Sequence, residues 1–248
     1  MSAGGLQTTW VDYGAELCMG CTGAGCECRS GCPARKELVK KGLNPDRVIE
    51  GPESEWKKPY RLPNDAWVLV CPSSDLFQDQ ALPFVPRVLD LVRDLPWLNF
   101  IILTKHPENA KDVLPEIPLP NLWIGTSAGT QKKLDERVRL LYEVPAVGYV
   151  ISVQPLLEHL NLVEYLSNER LKLVVVGCEM GRNARPCDNK WIKSILNQCD
   201  CYGVDWFITR YRDEDGNLIT LPTYNGRGSN EPSRPSFVSK KEKPLPNH

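Results

Sequence analysis

The sequence predicts an α/β fold, a partial (β/α) TIM-type barrel of about six or seven parallel strands with a cysteine-rich loop after strand one. Three observations carry this expectation. Six short apolar runs, residues 66–71, 99–104, 121–126, 148–153, 172–177 and 204–209, are continuous rather than alternating, as in strands buried on both faces of a parallel sheet. They recur roughly 22 to 33 residues apart with amphipathic helical patterns between them, the rhythm of repeated βα units. Nearly every run also ends in polar residues, including Ser73, Ser74 and Asp75, Lys105 and His106, Ser127, Ser152 and Gln154, Glu179, and Arg210. An open doubly wound sheet gathers function at one switch point, whereas a barrel collects all its strand ends around one mouth.

Taken in order, residues 7–13 supply a first strand ahead of the cysteines. Residues 44–65 carry Pro45, Pro52, Pro59 and Pro63 among several charges and read as a long functional loop. Residues 84–95 place Val85, Val88, Leu89 and Val92 on one helical face. Residues 130–143 set Leu134, Val138 and Leu141 against charged Lys132, Lys133, Asp135 and Glu136. Residues 188–202 open on Asp188 as N-cap, align Trp191, Ile192, Ile195 and Cys199, and stop before Gly203. At roughly 150 residues per domain the chain allows one or two domains; we expect one, 1–222, followed by a flexible tail, 223–248, rich in Pro, Ser, Asn and Lys.

Composition narrows the function. Hydrophobic residues at 42% and charged residues at 25% are globular values. Thirty basic against thirty-one acidic residues give a formal charge of −1, so any contact with nucleic acid must be local rather than driven by bulk charge. No apolar run approaches the roughly 20 residues of a membrane span, and the N-terminus shows no secretory pattern, so a cytoplasmic protein without a membrane partner is expected.

The cysteines point to a metal. Ten thiols without an export signal are not a disulfide framework, and five of them, Cys18, Cys21, Cys26, Cys28 and Cys32, fall in one glycine-rich loop. Glycines let such a loop fold so that thiolates converge on a soft centre. Zinc, held by Cys18 and Cys21 with Cys28 and Cys32, and an iron-sulfur cluster both suit this arrangement. With three histidines and no HExxH pair, a histidine-based zinc hydrolase is not supported. Residues 125–129 satisfy G-x-S-x-G at a strand-to-helix turn, but no acid and histidine follow at plausible places, so a tight turn is the expected reading. Arg182, Arg185, Arg210 and Arg212 follow the last two predicted strands, where barrels often bind phosphate, while Glu179, Asp188 and Asp213 nearby could instead pair with them.

Together these segments resemble a known family. Trp10-x-Asp12, the run Cys21-x6-Cys28-x3-Cys32 followed by Pro33-Ala34, SSDLF at 73–77, ILTKHPE at 102–108, NLWIGTS at 121–127, QPLL at 154–157, VVVGCEMGRNARP at 174–186 and CYGVDWF at 201–207 look like a phage-associated family of unknown function named for gene products thirty-seven and sixty-eight. That family is itself similar to radical S-adenosylmethionine (SAM) proteins.

The resemblance implies an enzyme with a 4Fe-4S cluster in the loop after strand one, held by Cys21, Cys28 and Cys32, the fourth iron being left to chelate SAM. An external electron donor would reduce the sulfonium, releasing methionine and a 5′-deoxyadenosyl radical that takes hydrogen from the substrate. This chain has three residues between the second and third ligands where the family has two, so Cys26 could replace Cys28. It also reads Gly177-Cys178-Glu179 where the family has Gly-Gly-Glu. At the barrel mouth, Ser73, Ser74, Asp75, Ser127, Ser152, Gln154 and Glu179 are the expected SAM contacts. Lys105, Arg182, Arg185 and Arg210 are the expected contacts to a nucleotide or nucleic-acid substrate. A phage-encoded protein acting in the host cytoplasm is implied. The alternative is a zinc-stabilised module that binds phage or mobile-element nucleic acid without catalysis.

Overall fold

Continuous apolar runs make the centre of this fold, and their order fixes its shape. A computed structural model of the chain describes residues 10–23, 26–27, 32–181, 183–213 and 216–220. Cys28, Arg182, the 223–248 tail and residues 7–9 of the expected first strand lie outside the described residues. Strands β1 (Tyr13–Ala15), β4 (Trp67–Val70), β5 (Asn99–Thr104), β6 (Leu122–Ser127), β7 (Tyr149–Val153), β8 (Leu171–Gly177) and β9 (Asp205–Arg212) pair in parallel and in chain order. An antiparallel hairpin adds β10 (Leu218–Thr220), a strand the sequence pattern did not reveal. The result is a mostly parallel eight-stranded sheet, consistent with a partial β/α barrel; no pairing joins β1 to β10 among the described residues.

Chain order without a reversal has a geometric consequence. Right-handed crossovers then put every connecting helix on the same face of the sheet. Helices α3 (Val85–Asp94), α4 (Pro107–Val113), α5 (Gln131–Leu141) and α7 (Asn189–Tyr202) occupy these crossovers, with the single turn α6 (Val163–Leu166) before β8. Val88, Val92, Leu134, Val138, Ile192 and Ile195 pack there against Val68, Phe100, Ile102, Ile151 and Val174. Alternate residues turn to the other face, where Trp67, Leu69, Ile101, Val150, Leu173, Val175 and Phe207 form a smaller core roofed by Trp10 and Val11. Trp67 meets Trp123 edge to face at 5.0 Å within it. Each aliphatic side chain so buried contributes about 1.5–3 kcal/mol, which is why unbroken β-branched runs specify this sheet.

The caps of α7 are those expected: Asp188 accepts a hydrogen bond from the Lys190 amide, and Gly203 ends the helix at φ 67°. Two expectations need correction. The first strand runs over 13–15, immediately before the cysteines, and residues 10–12 of the expected 7–13 strand are not part of it. Residues 44–65 are not an open loop: they form β3 (Ile49–Glu50), which pairs with β2 (Cys18–Met19), the short helix α2 (Glu53–Lys57) and a 3₁₀ turn, Pro59–Arg61. Trp56 supplies the reason, because burying its indole in the core needs a fixed scaffold at that point in the chain. Helix α1 (Pro33–Lys40) follows the cysteine loop.

Candidate functional site

The C-terminal ends of the strands border a cavity of about 220 Å³. Cys21, Cys26 and Cys32 line it together with Ser73, Ser74, Lys105, Gln154, Glu179 and Arg210, and with Pro72, Pro155, Cys178 and Met180. A larger cleft of about 710 Å³ lies at the opposite end, between the segments that precede β8 and β9. It holds none of the expected site residues, and the N-terminal face of such a sheet ordinarily serves stability.

Cys21 is placed by backbone contacts on either side of it. Its amide donates to Pro45 O at 2.8 Å and its carbonyl accepts from Arg35 at 2.5 Å. Gly20, one residue earlier, has φ 104°, and a Cβ there would sit 2.2 Å from Arg47 O, so only glycine brings the loop this close to the backbone. The buried amide of Gln78 donates to Gly20 O and Ser74 Oγ, both at 3.0 Å, and accepts from Thr22 N at 3.0 Å. Burial pushes the Cys21 thiol above its ordinary range, with the Gly23 amide and Lys105 pulling the other way. Cys32 is the N-cap of α1.

Cys18 faces elsewhere. Its thiol is fully buried 3.0 Å from Cys71 Sγ and does not line the cavity that Cys21 borders. Among the described residues no three Cys, His, Asp or Glu side chains are gathered closely enough to hold a metal as they stand. The donor chemistry nevertheless fits a thiolate-bound centre. Three cysteines border one cavity, and the backbone of Cys21 is held from both sides.

The expected SAM contacts divide by position. Ser73, Ser74, Gln154 and Glu179 reach the cavity, whereas Asp75, Ser127 and Ser152 do not line it. Asp75 bridges two strand ends, accepting from Thr104 Oγ1 at 2.6 Å and from Lys105 N at 2.7 Å. Ser127 O accepts from Arg137, and Ser152 O accepts from Ala128 N. Ser73 hydrogen-bonds Glu16, whose carboxyl is raised above the usual range by burial, the Ser73 bonds opposing. Gln154 donates to Thr209 Oγ1 at 2.6 Å, and a Cβ at Gly177 would sit 2.2 Å from that same oxygen, so glycine keeps this wall open.

The expected substrate contacts divide likewise. Lys105 and Arg210 line the cavity; Arg185 instead grips Glu179 through two nitrogens, at 2.8 and 2.6 Å. The β8–β9 register slips between Val176 and Gly177, so that Gly177 pairs with Arg210 and Thr209 is the extra residue. Bulges of this kind re-aim side chains, and here Arg210 turns to the cavity with Nε donating to Cys178 O at 3.2 Å. Burial lowers the Arg210 pKa, the nearby Cys178 opposing, and among the described residues no carboxylate forms an ion pair with it. Cys178, which stands where the resembled family has a glycine, is itself held below the ordinary thiol range by a hydrogen bond from Cys187, against burial and with help from Arg212 and Arg210.

Comparison with known proteins adds family and fold. The chain belongs to the family described as "Protein of unknown function (DUF5131)", whose model matches residues 7–227. No curated protein matches it significantly. Among solved structures it is similar to "Spore photoproduct lyase complexed with dinucleoside spore photoproduct", with a TM-score of 0.50 and 11% identity over 80% of this chain and 76% of that one. At that identity the likeness shows a shared fold alone. No helix among the described residues is long and apolar enough to cross a membrane.

Proposed function

We propose that this chain is a radical SAM-type enzyme, holding a 4Fe-4S cluster on the thiolates of its cysteine loop and SAM beside it at the sheet's C-terminal mouth. The observation that carries the reading is that Cys21, Cys26 and Cys32 all border one cavity at that mouth. The fold likeness supports it. Cys21 and Cys32 would provide two ligands, and Cys26 or Cys28 the third. When bound, the cluster and SAM supply one-electron cleavage of the sulfonium and hydrogen abstraction by the 5′-deoxyadenosyl radical. The chain's own residues position and shield. Ser73, Ser74, Gln154 and Glu179 offer donors and acceptors suited to an amino acid, a ribose and an adenine.

The substrate we propose is a nucleotide or a nucleic-acid base. A half-buried guanidinium at a cavity wall, with no carboxylate ion pair among the described residues, suits an anionic guest, and Arg210 with Lys105 offers two cations in a chain of net charge −1. The dinucleoside compound bound by the structural neighbour is consistent with this class. Calorimetry with SAM on the anaerobically reconstituted protein tests the reading. Stoichiometric binding is expected with the cluster in place. Failure to bind SAM while the cluster remains intact would overturn the proposal, and a zinc-loaded, iron-free protein would favour a binding module.

A further inference from the structure

Glu27 sits inside the cysteine loop, yet its side chain points away from the cavity and into the body of the fold. Its carboxylate accepts from the Gly129 amide at 3.1 and 3.2 Å, from Thr130 Oγ1 at 3.2 Å and from Arg137 at 3.2 Å. These partners lie 102 to 110 residues further along the chain, in the turn that carries the G-x-S-x-G pattern and in α5. The ion pair is buried, with the Arg137 side chain 3% exposed and the Glu27 side chain 14%. Glu27 O also accepts from Arg185 at 2.7 Å, and Arg185 is held in turn by Glu179. One residue of the loop is thus tied to both the β6–α5 turn and the segment after β8.

We propose that Glu27 is the positioning residue of the cysteine loop, anchoring it across the mouth before any metal is bound so that Cys26 faces the cavity. This rests on reading the loop as the metal-binding segment. The G-x-S-x-G turn then has a role unrelated to a nucleophile: its last glycine presents a backbone N–H to the Glu27 carboxylate. A carboxylate satisfied by an amide, a hydroxyl and a guanidinium is geometrically demanding, and charge-assisted bonds of this kind are among the stronger ones available to a loop. The chain therefore holds Cys26 in place instead of leaving its ordering to the metal.

The test uses the metal-free full-length chain under anaerobic reducing conditions. Pulse alkylation with N-ethylmaleimide, read by peptide mass spectrometry, gives a rate for each thiol. In Glu27→Ala, alkylation of Cys26 should be at least tenfold faster, while exposed Cys201 and buried Cys199 keep their wild-type rates. Because that variant strands a buried Arg137, the double variant Glu27→Ala, Arg137→Met is measured beside it and should show the same selective gain. An unchanged Cys26 rate in either folded variant would overturn the proposal, as would a rise shared equally by Cys199. Iron content of the reconstituted wild type is read separately. A selective gain at Cys26 with no iron bound upholds the anchor and removes the cluster reading, whereas iron bound with no gain at Cys26 removes the anchor alone.

Discussion

Two glutamines two residues apart allow the loop architecture to be weighed. Gln78 is 3% exposed and makes four hydrogen bonds: to Gly20 O, to Ser74 Oγ, and from Thr22 N and Thr22 Oγ1. Gln80 is exposed and accepts one bond, from Val48 N at 3.2 Å. Replacing Gln78 with alanine removes all four. Water can recover the bonds of exposed Thr22, and Gly20 O keeps Ser74 Oγ, so the loss falls mainly on the buried half of the network. At about 0.5–1.5 kcal/mol net per bond, with a further contribution from the void, Gln78→Ala should cost about 2–3 kcal/mol. For a chain of this size each kcal/mol lowers Tm by about 2–4 °C, giving a drop of about 4–12 °C in scanning calorimetry of the metal-free protein. Gln80→Ala should stay within about 0.5 kcal/mol. Equal shifts for the two variants, or a Gln78→Ala drop below about 2 °C, would refute the argument that Gln78 clamps the loop beside Cys21.

Three further outcomes follow from the same geometry. Gly20→Ala should lower Tm clearly more than Gly42→Ala, because both have positive φ but only Gly20 faces a backbone oxygen at 2.2 Å; matching shifts would show that the close approach is not real. Burial raises the Glu16 carboxyl, so the fold favours its protonated form: that stability is fully present below the unperturbed value of 4.5 and is lost as pH rises through the raised native value. Glu16→Gln should accordingly flatten the fall in stability above that pH and raise Tm at neutral pH, with denaturant titrations across pH as the check. Arg210→Gln should weaken binding of a phosphate-bearing nucleotide by about tenfold to a hundredfold and reduce its salt dependence. Arg185→Gln should matter less, since Glu179 already holds that guanidinium; calorimetry at several salt concentrations separates the two.

Strands were legible because buried parallel strands carry unbroken apolar runs: residues 99–104 read directly as β5. The hairpin strand β10 has three residues, too short for any periodicity to show. The proline-rich stretch 44–65 read as loop because its order comes from tertiary burial of Trp56, which local pattern does not report. At the site, the glycine-spaced cysteines announced the loop, and the polar strand ends announced the mouth. Which of those ends faces the cavity depends on strand parity: Lys105 shares the inner parity of Ile101 and reaches the cavity, while Thr104 turns to Asp75. Arg210 reaches it through a bulge that no sequence feature marks. Gln78 and Glu27 were missed for a different reason, since apart from Ser74 their side-chain partners and Arg185 lie 56 to 158 residues away and nothing in the local sequence names them. Their proximity to motifs was the available signal: Gln78 follows the SSDLF run directly, and Glu27 lies between two cysteines.

The most direct measurement of the central claim is the iron and acid-labile sulfide content of the anaerobically reconstituted chain. A radical SAM-type centre predicts about four iron atoms and four sulfides per chain, and their loss in Cys21→Ser and Cys32→Ser variants. Stoichiometric zinc without sulfide, or iron retained in both variants, would contradict it.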